Sequence, residues 1–398
     1  MAKIAIMGFG TVGSGVLEVL RLNGGLNERL TGEKIEVKYI LDIRDFSDHP
    51  DSALFTKDVN VIMNDPEVVT VVEAMGGSHP AYEFTMDALR HKKNVVTSNK
   101  EAVANFGAEF LKTARENGVK YLFEASVGGG IPVIRALLTS LAGNRVTSVA
   151  GILNGTTNYI LTEMFTMSKS FGDSLAEAQK LGYAERDPSA DVDGLDAARK
   201  IAILASIITG HSVDPKNVFT EGIRNITDRD VSDAESAGYA VKLLGIYEEC
   251  GDGAYVGVCP FFIGKSEILA GVSGVLNGIK VKGNAVGELH FTGAGAGKLP
   301  TASAMAADVI NTLSPDRLSL ACWDDKAPEG FVKPFDTRTG GFYLRFTSKV
   351  PDKLADSLGG QILKDDSLIT SETDLVSLNR LCGEYGAKPV SIIRVYEG

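Results

Sequence analysis

Residues 3–15, KIAIMGFGTVGSG, run from a short apolar strand, Lys3–Met7, into a glycine-rich turn and the beginning of a helical pattern. The turn has the spacing Gly-x-Gly-x-x-Gly at Gly8, Gly10 and Gly13. The first two glycines of such a turn let backbone N–H groups approach a pyrophosphate, and the third lets the helix pack close to the strand. The spacing alone is weak evidence, but its place between a strand and a helix predicts a dinucleotide-binding site.

The second strand is predicted at Ile35–Leu41 and ends at Asp42. A carboxylate at this position accepts hydrogen bonds from an adenine-ribose diol and favours NAD. Asp42 follows Gly13 by 29 residues, where about 20 is usual, so residues 23–34 are predicted to be an inserted loop. Arg44 could instead meet the 2′-phosphate of NADP. The choice between NAD and NADP therefore stays open, with a slight preference for NAD.

Strands and helices alternate along the first third of the chain. Beyond the helix at Val12–Leu22, strands are predicted at Val68–Ala74, Asn94–Thr97 and Tyr121–Ala125, and helices at Ala81–His91 and Glu101–Asn117. This alternation, from residue 1 to about residue 130, predicts an α/β fold with a doubly wound parallel sheet.

Three features follow the carboxyl ends of these strands, where open α/β sheets bind their ligands. Gly76 follows one strand and is a candidate cofactor contact. Lys100 follows the next and is either a surface charge or a group beside the cofactor. The turn at residues 126–132, SVGGGIP, would direct several backbone carbonyl groups inward. It is read either as a monovalent cation site or as a hinge between domains.

Composition restricts the class of partner. The formal net charge is −11, which argues against nucleic acid or an anionic membrane surface. No window approaches 18 uninterrupted apolar residues, so no membrane span is expected. The cysteines have no zinc-binding or CxxC spacing, and the N-terminus lacks a secretory signal, so reduced thiols and a cytoplasmic location are expected. These cysteines are Cys250, Cys259, Cys322 and Cys382.

The middle of the chain carries a polar turn. Residues 154–158, NGTTN, follow a predicted strand, Arg145–Leu153, and precede a predicted helix, Tyr159–Ser168. Asn154 or Thr156 could simply cap that helix. Alternatively, the turn offers N–H and hydroxyl groups to a small polar substrate.

The segment 181–205, LGYAERDPSADVDGLDAARKIAILA, is rich in acidic residues: Glu185, Asp187, Asp191, Asp193 and Asp196. Proline restricts the residue before it, so the part up to Asp193 is predicted to be a loop. A helix is predicted from Gly194, with Asp193 as its N-cap. Asp196 and Lys200 are four residues apart and share one face of that helix.

Lys200 lies on the apolar side of this helix. That side also carries Ala197, Ile203, Leu204 and Ile207, whereas Arg199 and Ser206 fall on the polar side. The lysine either extends its amine to water along its own aliphatic stem or is a buried amine available for proton transfer. A nicotinamide enzyme that oxidises an alcohol needs a cofactor platform, substrate-recognition groups and a base. Lys200 is the best candidate base and Lys100 its candidate partner, while the acidic loop and Tyr183 could recognise a cationic amino group.

The rest of the chain contains a second glycine-rich loop and a compact end. Residues 293–297, GAGAG, precede a predicted helix at Thr301–Leu313 and are expected to return to the cofactor cleft, because nothing else requires so close a backbone approach. Other strands are predicted at Asn217–Ile223, Ala254–Ile263 and Gly287–Phe291. From about residue 335 the pattern predicts a βαβαβ run, with residues 362–370 as one extended segment.

Five of these stretches together resemble homoserine dehydrogenases. They are GFGTVGSG at 8–15, SNK at 98–100, GGGIPVI at 128–134, GILNGTTNYILTEM at 151–164 and GYAERDPSADVDGLDAARKIAIL at 182–204. The resemblance covers residues 1 to about 325, and the last two stretches are the most specific. It implies a Rossmann-type domain with an α+β catalytic and dimerisation domain. It also implies NAD(P)-dependent interconversion of L-homoserine and L-aspartate 4-semialdehyde, in threonine and methionine biosynthesis.

The resemblance also implies roles for individual residues. Lys200, with Asp196, would donate and accept the proton, and Lys100 would act beside it and touch the cofactor. Substrate would be bound by Glu185 and Asp196, in a pocket lined by Tyr183 and Asp191. The polar turn described above adds Thr156 as a candidate substrate contact. Cofactor contacts would come from the stretch at 8–15 (Gly8, Phe9, Gly10, Thr11, Val12, Gly13 and Gly15). The residue pattern itself adds Asp42, Gly76 and Gly297 as candidate cofactor contacts. A sodium ion would lie at Glu124, Val127, Gly129 and Ile131.

The implied organisation has three parts. Residues 1–130 would bind the dinucleotide with 297–320 returning to them, residues 131–296 would form the catalytic and dimerisation domain, and residues 335–398 an ACT-like module. The protein would be a homodimer or a dimer of dimers. The module is one strand short of the usual βαββαβ order. It would bind threonine, bind another effector, or serve dimerisation alone.

Two other functions compete with this one. The first is a dehydrogenase acting on another amino-acid semialdehyde, which substrate profiling would distinguish. The second is a dinucleotide-sensing regulatory protein with the same fold. Such a sensor needs neither a buried lysine nor an acidic pocket, so the group formed by Glu185, Asp196 and Lys200 speaks against it.

Overall fold

The structure is a computed structural model that describes residues 1–314 and 323–397. Cys322, Gly398 and residues 315–320 of the segment predicted to return to the first domain lie outside the described residues. The chain forms two compact units. Unit 1 comprises Met1–Asn144, Ala202–Pro215 and Gly293–Ala327, and unit 2 comprises Arg145–Ile201, Lys216–Thr292 and Pro328–Gly398.

The elements are numbered in chain order. The strands are β1 (Ala2–Met7), β2 (Ile35–Leu41), β3 (Phe55–Thr56), β4 (Val68–Glu73), β5 (Asn94–Thr97), β6 (Tyr121–Leu122), β7 (Val146–Ile152), β8 (His211–Ser212), β9 (Phe219–Thr220), β10 (Tyr239–Cys250), β11 (Gly253–Gly264), β12 (Leu276–Gly283), β13 (Gly287–Ala294), β14 (Asp324–Lys326), β15 (Val332–Lys333), β16 (Phe342–Arg345), β17 (Gln361–Lys364), β18 (Ser367–Ile369) and β19 (Ser391–Tyr396). The helices are α1 (Thr11–Leu22), α2 (Gly24–Thr31), α3 (Val59–Met63), α4 (Ala81–Arg90), α5 (Lys100–Asn117), α6 (Val133–Arg135), α7 (Gly155–Met167), α8 (Phe171–Lys180), α9 (Ser189–Val192), α10 (Leu195–Thr209), α11 (Asp228–Ser236), α12 (Lys298–Leu313), α13 (Asp352–Ser357) and α14 (Leu375–Glu384).

Unit 1 contains the predicted doubly wound sheet. Its six strands are parallel and lie in the order β3-β2-β1-β4-β5-β6. The predicted bounds of β2 and β5 are confirmed. The order reverses between β1 and β4, and the carboxyl ends of these two strands therefore form the topological switch point at which such sheets bind dinucleotides.

Two predictions in unit 1 are wrong. Residues 24–31 of the predicted inserted loop form helix α2, which ends at Gly32 with a φ of 76°. A residue in this left-handed conformation commonly ends a helix. The sequence favoured a loop here because α2 begins with two glycines, which are poor helix formers. Strand β6 ends at Leu122 instead of residue 125, because the Glu124 N–H donates to the Asp308 carboxylate at 2.9 Å and the chain turns.

Unit 2 is built on a mixed sheet. Its main strand order is β13-β12-β7-β10-β11-β19-β16-β18-β17. The central pair, β10 and β11, is an antiparallel hairpin that stays in register from Tyr239↔Gly264 to Cys250↔Gly253. Strand β10 was not predicted from the sequence. Most of this strand is buried, and a buried strand lacks the alternation of apolar and polar residues that marks a half-exposed one.

The C-terminal module corrects the predicted βαβαβ order. Residues 342–396 run β16-α13-β17-β18-α14-β19, a complete βαββαβ unit. The single extended segment predicted at 362–370 is a hairpin of two short strands. The charged pair Asp365-Asp366 forms its turn. The backbone carbonyls of both residues accept N–H groups from the segment between β16 and α13, at Val350 and Phe346. The module is therefore not one strand short.

The predicted domain boundaries differ from those of the two units, including at the segment predicted at 297–320, which is Gly293–Ala327 in unit 1. Unit 1 extends to residue 144 rather than 130, and residues 202–215 also belong to it. Residues 335–397 lie within unit 2 and not in a separate unit, because β19 pairs with β11 and continues the sheet. Among the described residues, none of the helices has the length and apolar character needed to span a membrane.

Candidate active site

Lys200 is a buried amine on helix α10. The residue is 7% exposed, and its Nζ donates to the backbone carbonyl of Leu153 at 2.6 Å and to Asp196 Oδ2 at 2.7 Å. Asp196 is itself 3% exposed. Both bonds end on groups inside the unit, so the lysine does not extend its amine to bulk water, and the first of the two sequence interpretations is wrong.

Asn154 connects this lysine pair to the acidic loop. Its side-chain amide donates to Asp191 Oδ1 at 2.7 Å and to Asp196 Oδ2 at 2.8 Å. Its side-chain oxygen accepts from the Thr157 N–H at 2.8 Å and caps helix α7. From the sequence, Asn154 was interpreted as a helix cap or as part of a substrate-recognition turn, and its bridging role was missed. Its position directly after a strand, in a polar turn, was the available signal.

Of the other predicted substrate residues, Thr156 is buried in the first turn of helix α7, whereas Tyr183 and Glu185 lie on the exposed part of the acidic loop. The Thr156 hydroxyl donates to the Tyr183 carbonyl at 2.7 Å, and the Tyr183 ring packs edge-on against Tyr159 at 5.0 Å. Glu185 is exposed, and its backbone carbonyl accepts from the Gln179 amide at 3.0 Å. The structure thus brings Asp191, Asp196 and Lys200 together. It places Tyr183 and Glu185 at the surface beside them.

Two details of the predicted helix need correction. Helix α10 begins at Leu195, after Gly194 with a φ of 83°, and Asp193 does not cap it. The Asp193 carboxylate pairs with Arg224 instead. Ser206, predicted on the polar side, is 3% exposed and accepts the Val213 N–H at 2.9 Å. This helix is buried on nearly all sides, so a polar residue on it does not mark a solvent-facing side.

The glycine-rich turn in unit 1 has the shape of a pyrophosphate cradle. Gly8 has a φ of 89°, and a Cβ there would lie 2.8 Å from the carbonyl oxygen of Ala74. A Cβ on Gly13 would lie 1.9 Å from the carbonyl oxygen of Gly8. A Cβ on Gly10 would meet no atom within 4 Å. Gly8 and Gly13 are therefore required by the fold, whereas the space at Gly10 is open to a ligand.

The neighbouring residues of this turn have different surroundings. Thr11 and Val12 begin helix α1, where N–H groups face outward at the helix N-terminus. The Phe9 side chain is 7% exposed and packs edge-on against Phe55 at 5.0 Å. The Phe9 N–H donates to Asp42 Oδ2 at 2.8 Å. Phe9 thus ties the turn to the end of β2.

Asp42 and Arg44, the two competing cofactor signals, pair with each other. Arg44 donates from Nε at 3.0 Å and from Nη2 at 2.8 Å to the Asp42 carboxylate. This hydrogen-bonded guanidinium holds the pKa of Asp42 well below its usual range, so the carboxylate is ionised at neutral pH. The Arg44 side chain is 56% exposed and lies over the Phe46 ring at 5.1 Å. An anionic and a cationic group therefore stand together where the adenine ribose of a dinucleotide is expected.

The carboxyl ends of β4 and β5 carry Gly76 and Lys100. A Cβ on Gly76 would meet no atom within 4 Å. Lys100 is the first residue of α5, and the preceding residue, Asn99, caps that helix by accepting the Ala102 N–H at 3.1 Å. The Asn99 amide donates to the Gly77 carbonyl at 2.7 Å. The two turns are therefore fastened to each other.

The predicted cation turn surrounds a buried carboxylate. Glu124 is 4% exposed, and its two carboxylate oxygens accept the N–H groups of Ile134 at 2.9 Å and Arg135 at 2.7 Å. Burial raises the pKa of Glu124 to about 7, and the nearby Asp308 carboxylate acts in the same direction. The side chain thus serves the protein backbone, and any ligands for a cation would be backbone carbonyls. The described residues contain no group of three or more His, Cys, Asp and Glu side chains able to hold a metal ion.

The remaining predicted positions of this turn have small or apolar side chains. Val127 and Ile131 are buried, and Gly129 has a φ of 55°. A Cβ on Gly129 would lie 2.6 Å from the backbone of Gly295. The second glycine-rich loop therefore packs against the cation turn, so the premise that only the cofactor cleft requires its close approach is wrong.

Gly297 precedes helix α12 with a φ of 121°. A Cβ on Gly15 would lie 2.8 Å from the carbonyl oxygen of Lys298, the first residue of α12. Within unit 1, the start of α12 therefore lies against the helix that follows the glycine-rich turn. A cofactor contact by Gly297 stays a prediction.

Each unit supplies a different part of the chemistry. In unit 2, a buried amine and two carboxylates bridged by an amide can move a proton and bind a cationic group. In unit 1, the glycine turn at the switch point can bind a dinucleotide. Sequence reasoning missed Asn154, the Leu153 carbonyl and the buried Glu73 of β4. A backbone carbonyl such as that of Leu153 has no sequence signature. An acidic residue near the end of an apolar strand, such as Glu73, is easily mistaken for an exposed residue at the strand end.

Comparison with known proteins agrees with both parts. A family profile described as the NAD-binding domain of homoserine dehydrogenase matches residues 8–124, and one described as homoserine dehydrogenase matches residues 132–310. Homoserine dehydrogenase from a Synechocystis strain is 47% identical over 361 residues, which cover 86% of this chain and 82% of that protein.

Solved structures agree in the same way. The crystal structure of a homoserine dehydrogenase from Thiobacillus denitrificans superposes with a TM-score of 0.92 at 36% identity, covering 100% of this chain and 98% of that one. A hyperthermophilic archaeal homoserine dehydrogenase in complex with NADPH has a TM-score of 0.67 at 28% identity, covering 78% of this chain and 97% of that one. The chain belongs to the homoserine dehydrogenase family.

Proposed function

We propose that the protein interconverts L-homoserine and L-aspartate 4-semialdehyde, with Lys200 as the general acid and base. The observation that carries this proposal is the buried Lys200 amine, held 2.7 Å from Asp196 and 2.6 Å from the Leu153 carbonyl. In the oxidation direction, the neutral amine takes the hydroxyl proton of homoserine as the carbonyl forms. In the reduction direction, the ammonium returns that proton to the aldehyde oxygen. The nicotinamide cofactor supplies the chemistry of hydride acceptance and donation.

The acidic residues around Lys200 are assigned to substrate binding. Asp191 and Asp196 are both bridged by the Asn154 amide, which holds two carboxylates close to each other despite their repulsion. Such a pair is suited to bind the ammonium group of an amino acid. The pocket would be completed, when substrate binds, by Thr156 and by two residues on the exposed part of the loop, Glu185 and Tyr183.

The decisive experiment is steady-state oxidation of homoserine by wild-type protein and by Lys200→Ala. We expect Lys200→Ala to lose several orders of magnitude in kcat, since a general base contributes about 10²–10⁴-fold, while it still folds and binds cofactor. Lys93→Met is the matched control. Lys93 is also a buried lysine, 3% exposed. It donates to the Asp65 and Val68 carbonyls in unit 1, at the amino end of β4 and away from the carboxyl ends of the strands.

Lys93→Met should therefore lower the thermal stability and leave kcat unchanged. Near-normal turnover by Lys200→Ala would remove Lys200 from the mechanism. Assays with other amino-acid alcohols and semialdehydes, under the same conditions, test the substrate. If one of them were turned over faster than homoserine, the enzyme would be a dehydrogenase of another semialdehyde.

The cofactor is proposed to be NAD or NADP, bound on the glycine turn. The open space at Gly10 and the close packing at Gly8 and Gly13 support this. We assign Arg44 to the 2′-phosphate of NADP and Asp42 to the ribose of NAD. The relative in complex with NADPH is consistent with the first assignment. Arg44→Ala should raise KM for NADP more than about tenfold, the value of one charge-assisted hydrogen bond, and change KM for NAD little. Equal changes in both would contradict this assignment.

A sodium ion is also proposed at the turn of Glu124, Val127, Gly129 and Ile131. The Glu124 carboxylate organises the turn through backbone N–H groups, which supports a site of carbonyl oxygens, the ligands that hard cations prefer. Replacing sodium chloride by N-methylglucamine chloride in assays of activity and stability tests this. If both are unchanged, no functional sodium is bound.

The C-terminal βαββαβ module is proposed to be ACT-like and to bind an amino-acid effector, or to serve dimerisation alone. The assay above, run with and without threonine and other amino acids, distinguishes the two. We also propose that the protein is a homodimer or a dimer of dimers. Light-scattering mass at several protein concentrations tests this, and a constant monomer mass would contradict it.

A further inference from the structure

Glu73, at the end of β4, is a buried carboxylate that the proposed reaction does not use. It is 1% exposed, and both of its oxygens accept hydrogen bonds: Oε1 from the Met75 N–H at 2.8 Å and Oε2 from the Thr97 hydroxyl at 2.5 Å. Burial raises the pKa of this carboxyl to about 7. An acid in such a position destabilises the fold unless it is fully hydrogen-bonded, so its presence calls for an explanation beyond packing.

The hydrogen bonds of Glu73 lead to the start of helix α5. The Thr97 oxygen that donates to Glu73 also accepts the Asn99 N–H at 2.9 Å. Asn99 in turn caps α5 and donates to the Gly77 carbonyl at 2.7 Å. Lys100 is the next residue and the first of the helix. Two hydrogen bonds thus connect the Glu73 carboxylate to Asn99, and two more from the Asn99 side chain hold the backbone that places Lys100.

A second contact fastens the same two turns. The Ser78 hydroxyl donates to the Glu101 carboxylate at 2.7 Å. The turn after β4 also faces the glycine turn, because a Cβ on Gly8 would lie 2.8 Å from the Ala74 carbonyl oxygen. Glu73 therefore lies at the point where the turns after β1, β4 and β5 meet, at the switch point of the sheet.

We propose that Glu73 is a positioning residue that acts through Thr97 and Asn99 to fix Lys100 at the cofactor edge of the sheet. This inference rests on the proposed function, since it gives Lys100 a part in homoserine oxidation. Glu73 touches neither substrate nor the reacting atoms in this scheme. Its effect on the rate passes entirely through the position of the Lys100 amine.

The first test compares two substitutions at Thr97. Thr97→Val keeps the shape of the side chain but removes the hydroxyl that connects Glu73 to Asn99, whereas Thr97→Ser keeps the hydroxyl. A misplacement of about 1 Å can cost about 10²-fold in rate, so we expect Thr97→Val and Glu73→Ala to lower kcat for homoserine by about 10²-fold. Thr97→Ser should stay within about threefold of wild type, because the hydrogen bond to Glu73 is retained.

Thr70→Val is the matched control for loss of a buried hydroxyl. Thr70 lies on β4, the strand that carries Glu73. It is 0% exposed and shares a hydrogen bond of 2.8 Å with Thr312. It lies away from the carboxyl end of β4. Thr70→Val should lower the melting temperature about as much as Thr97→Val does, yet leave kcat unchanged. Equal losses of kcat in the two valine variants would show a general effect of stability and overturn the proposal.

The second test is a double-mutant cycle with Lys100→Ala. If Glu73 acts only through Lys100, then adding Glu73→Ala to Lys100→Ala should have no further effect on kcat. A change of less than about twofold lies within the error of such a cycle. A further loss of about 10²-fold would show that Glu73 acts independently of Lys100. Normal activity of Lys100→Ala alone would also overturn the proposal.

Wild-type protein in the same assay keeps the two claims apart. If wild-type protein oxidises homoserine but the effects of Glu73→Ala and Lys100→Ala are additive, the proposed role of Glu73 is wrong and the proposed function stands. If it does not turn over homoserine with either NAD or NADP, the proposed function itself fails.

Discussion

Asn154 belongs to two structures at once. Its side-chain oxygen caps helix α7 through Thr157, and its amide group donates to Asp191 and Asp196. Only a side chain with an acceptor and two donors on one planar group can do both. Aspartate would cap the helix equally well but would place a third carboxylate among the two already present. The choice of asparagine at this cap is therefore set by the acidic loop and not by the helix.

Substitutions at Asn154 can separate the cap from the bridge. Asn154→Ser keeps a good cap residue but has no amide to donate, whereas Asn154→Ala loses both functions. We expect kcat/KM for homoserine to fall more than about tenfold in both variants, because two hydrogen bonds to charged groups are lost. Thermal unfolding should show an additional loss of about 1 kcal/mol only in Asn154→Ala. If Asn154→Ser kept normal kcat/KM, the bridge would have no part in catalysis.

The glycine turn between β1 and α1 combines positions set by the fold with one left open. A Cβ on Gly13 would overlap the Gly8 carbonyl at 1.9 Å, whereas a Cβ on Gly10 would meet nothing within 4 Å. Gly10 also has a φ of −78°, which any residue adopts. The protein alone therefore needs glycine at position 13 but not at position 10. A pyrophosphate over the turn explains the second glycine.

This difference predicts opposite outcomes for two alanine substitutions. Gly10→Ala should unfold at the wild-type temperature but lose most of its affinity for NAD and NADP, because the new methyl group occupies ligand space. Gly13→Ala should be strongly destabilised before any ligand is added. Thermal unfolding with and without cofactor, together with cofactor titration, measures both effects. Normal cofactor binding by Gly10→Ala would place the pyrophosphate elsewhere.

The carboxyl end of β4 also makes stability depend on pH. Burial raises the pKa of Glu73 to about 7, from its ordinary value of 4.5, so the folded protein binds this proton more tightly than the unfolded chain. Its contribution to stability is therefore fully present below the unfolded value and is lost as pH rises through about 7. From pH 5 to pH 8 the contribution should fall by about 2–3 kcal/mol.

Glu73→Gln isolates this contribution. The free energy of unfolding of wild type, relative to Glu73→Gln, should increase by about 2–3 kcal/mol when pH is lowered from 8 to 5. Glu124 and Asp308, whose pKa values burial raises to about 7 and about 6, titrate in both proteins and cancel in the difference. Tyr121, which interacts electrostatically with Glu73, has a pKa raised well above its usual range, chiefly by burial, and stays neutral. A difference independent of pH would mean that Glu73 is ionised when folded.

Sequence patterns succeeded where one element carries its own signal. Strands β2 and β5 have the predicted bounds, because short β-branched runs end at Asp or Ser. Lys200 was found because a charge on an apolar helix face is conspicuous. Strand β10 and the bridge at Asn154 were missed, because each has partners in a distant part of the chain. Strands β10 and β7, for example, pair with each other although they lie about 90 residues apart in sequence. Local periodicity carries no information about such partners.

At the scale of unit 2, the C-terminal module is an integral part of the sheet. Strand β19 pairs with β11 at Phe261–Ile263 and with β16 on its other side. Two fully buried carboxylates of helix α11 reach into the module: Asp230 accepts from Arg345 Nε at 2.8 Å, and Asp233 accepts from the Tyr343 hydroxyl at 2.9 Å. Detaching the module would remove these partners from both carboxylates. Unit 2 should therefore unfold with its module in one transition.

Arg345→Met tests this coupling. Removing one partner of a buried charge pair costs about 3 kcal/mol or more, and in a single cooperative unit that loss is shared by every strand. Hydrogen exchange measured by mass spectrometry should show equal losses of protection in β16–β19 and in the β10–β11 hairpin. Arg380→Met, which removes an exposed arginine of the same module paired with Glu384, should change neither. If only β16–β19 lost protection, the module would open on its own, and a ligand bound to it could not act on Lys200 through the stability of the shared sheet.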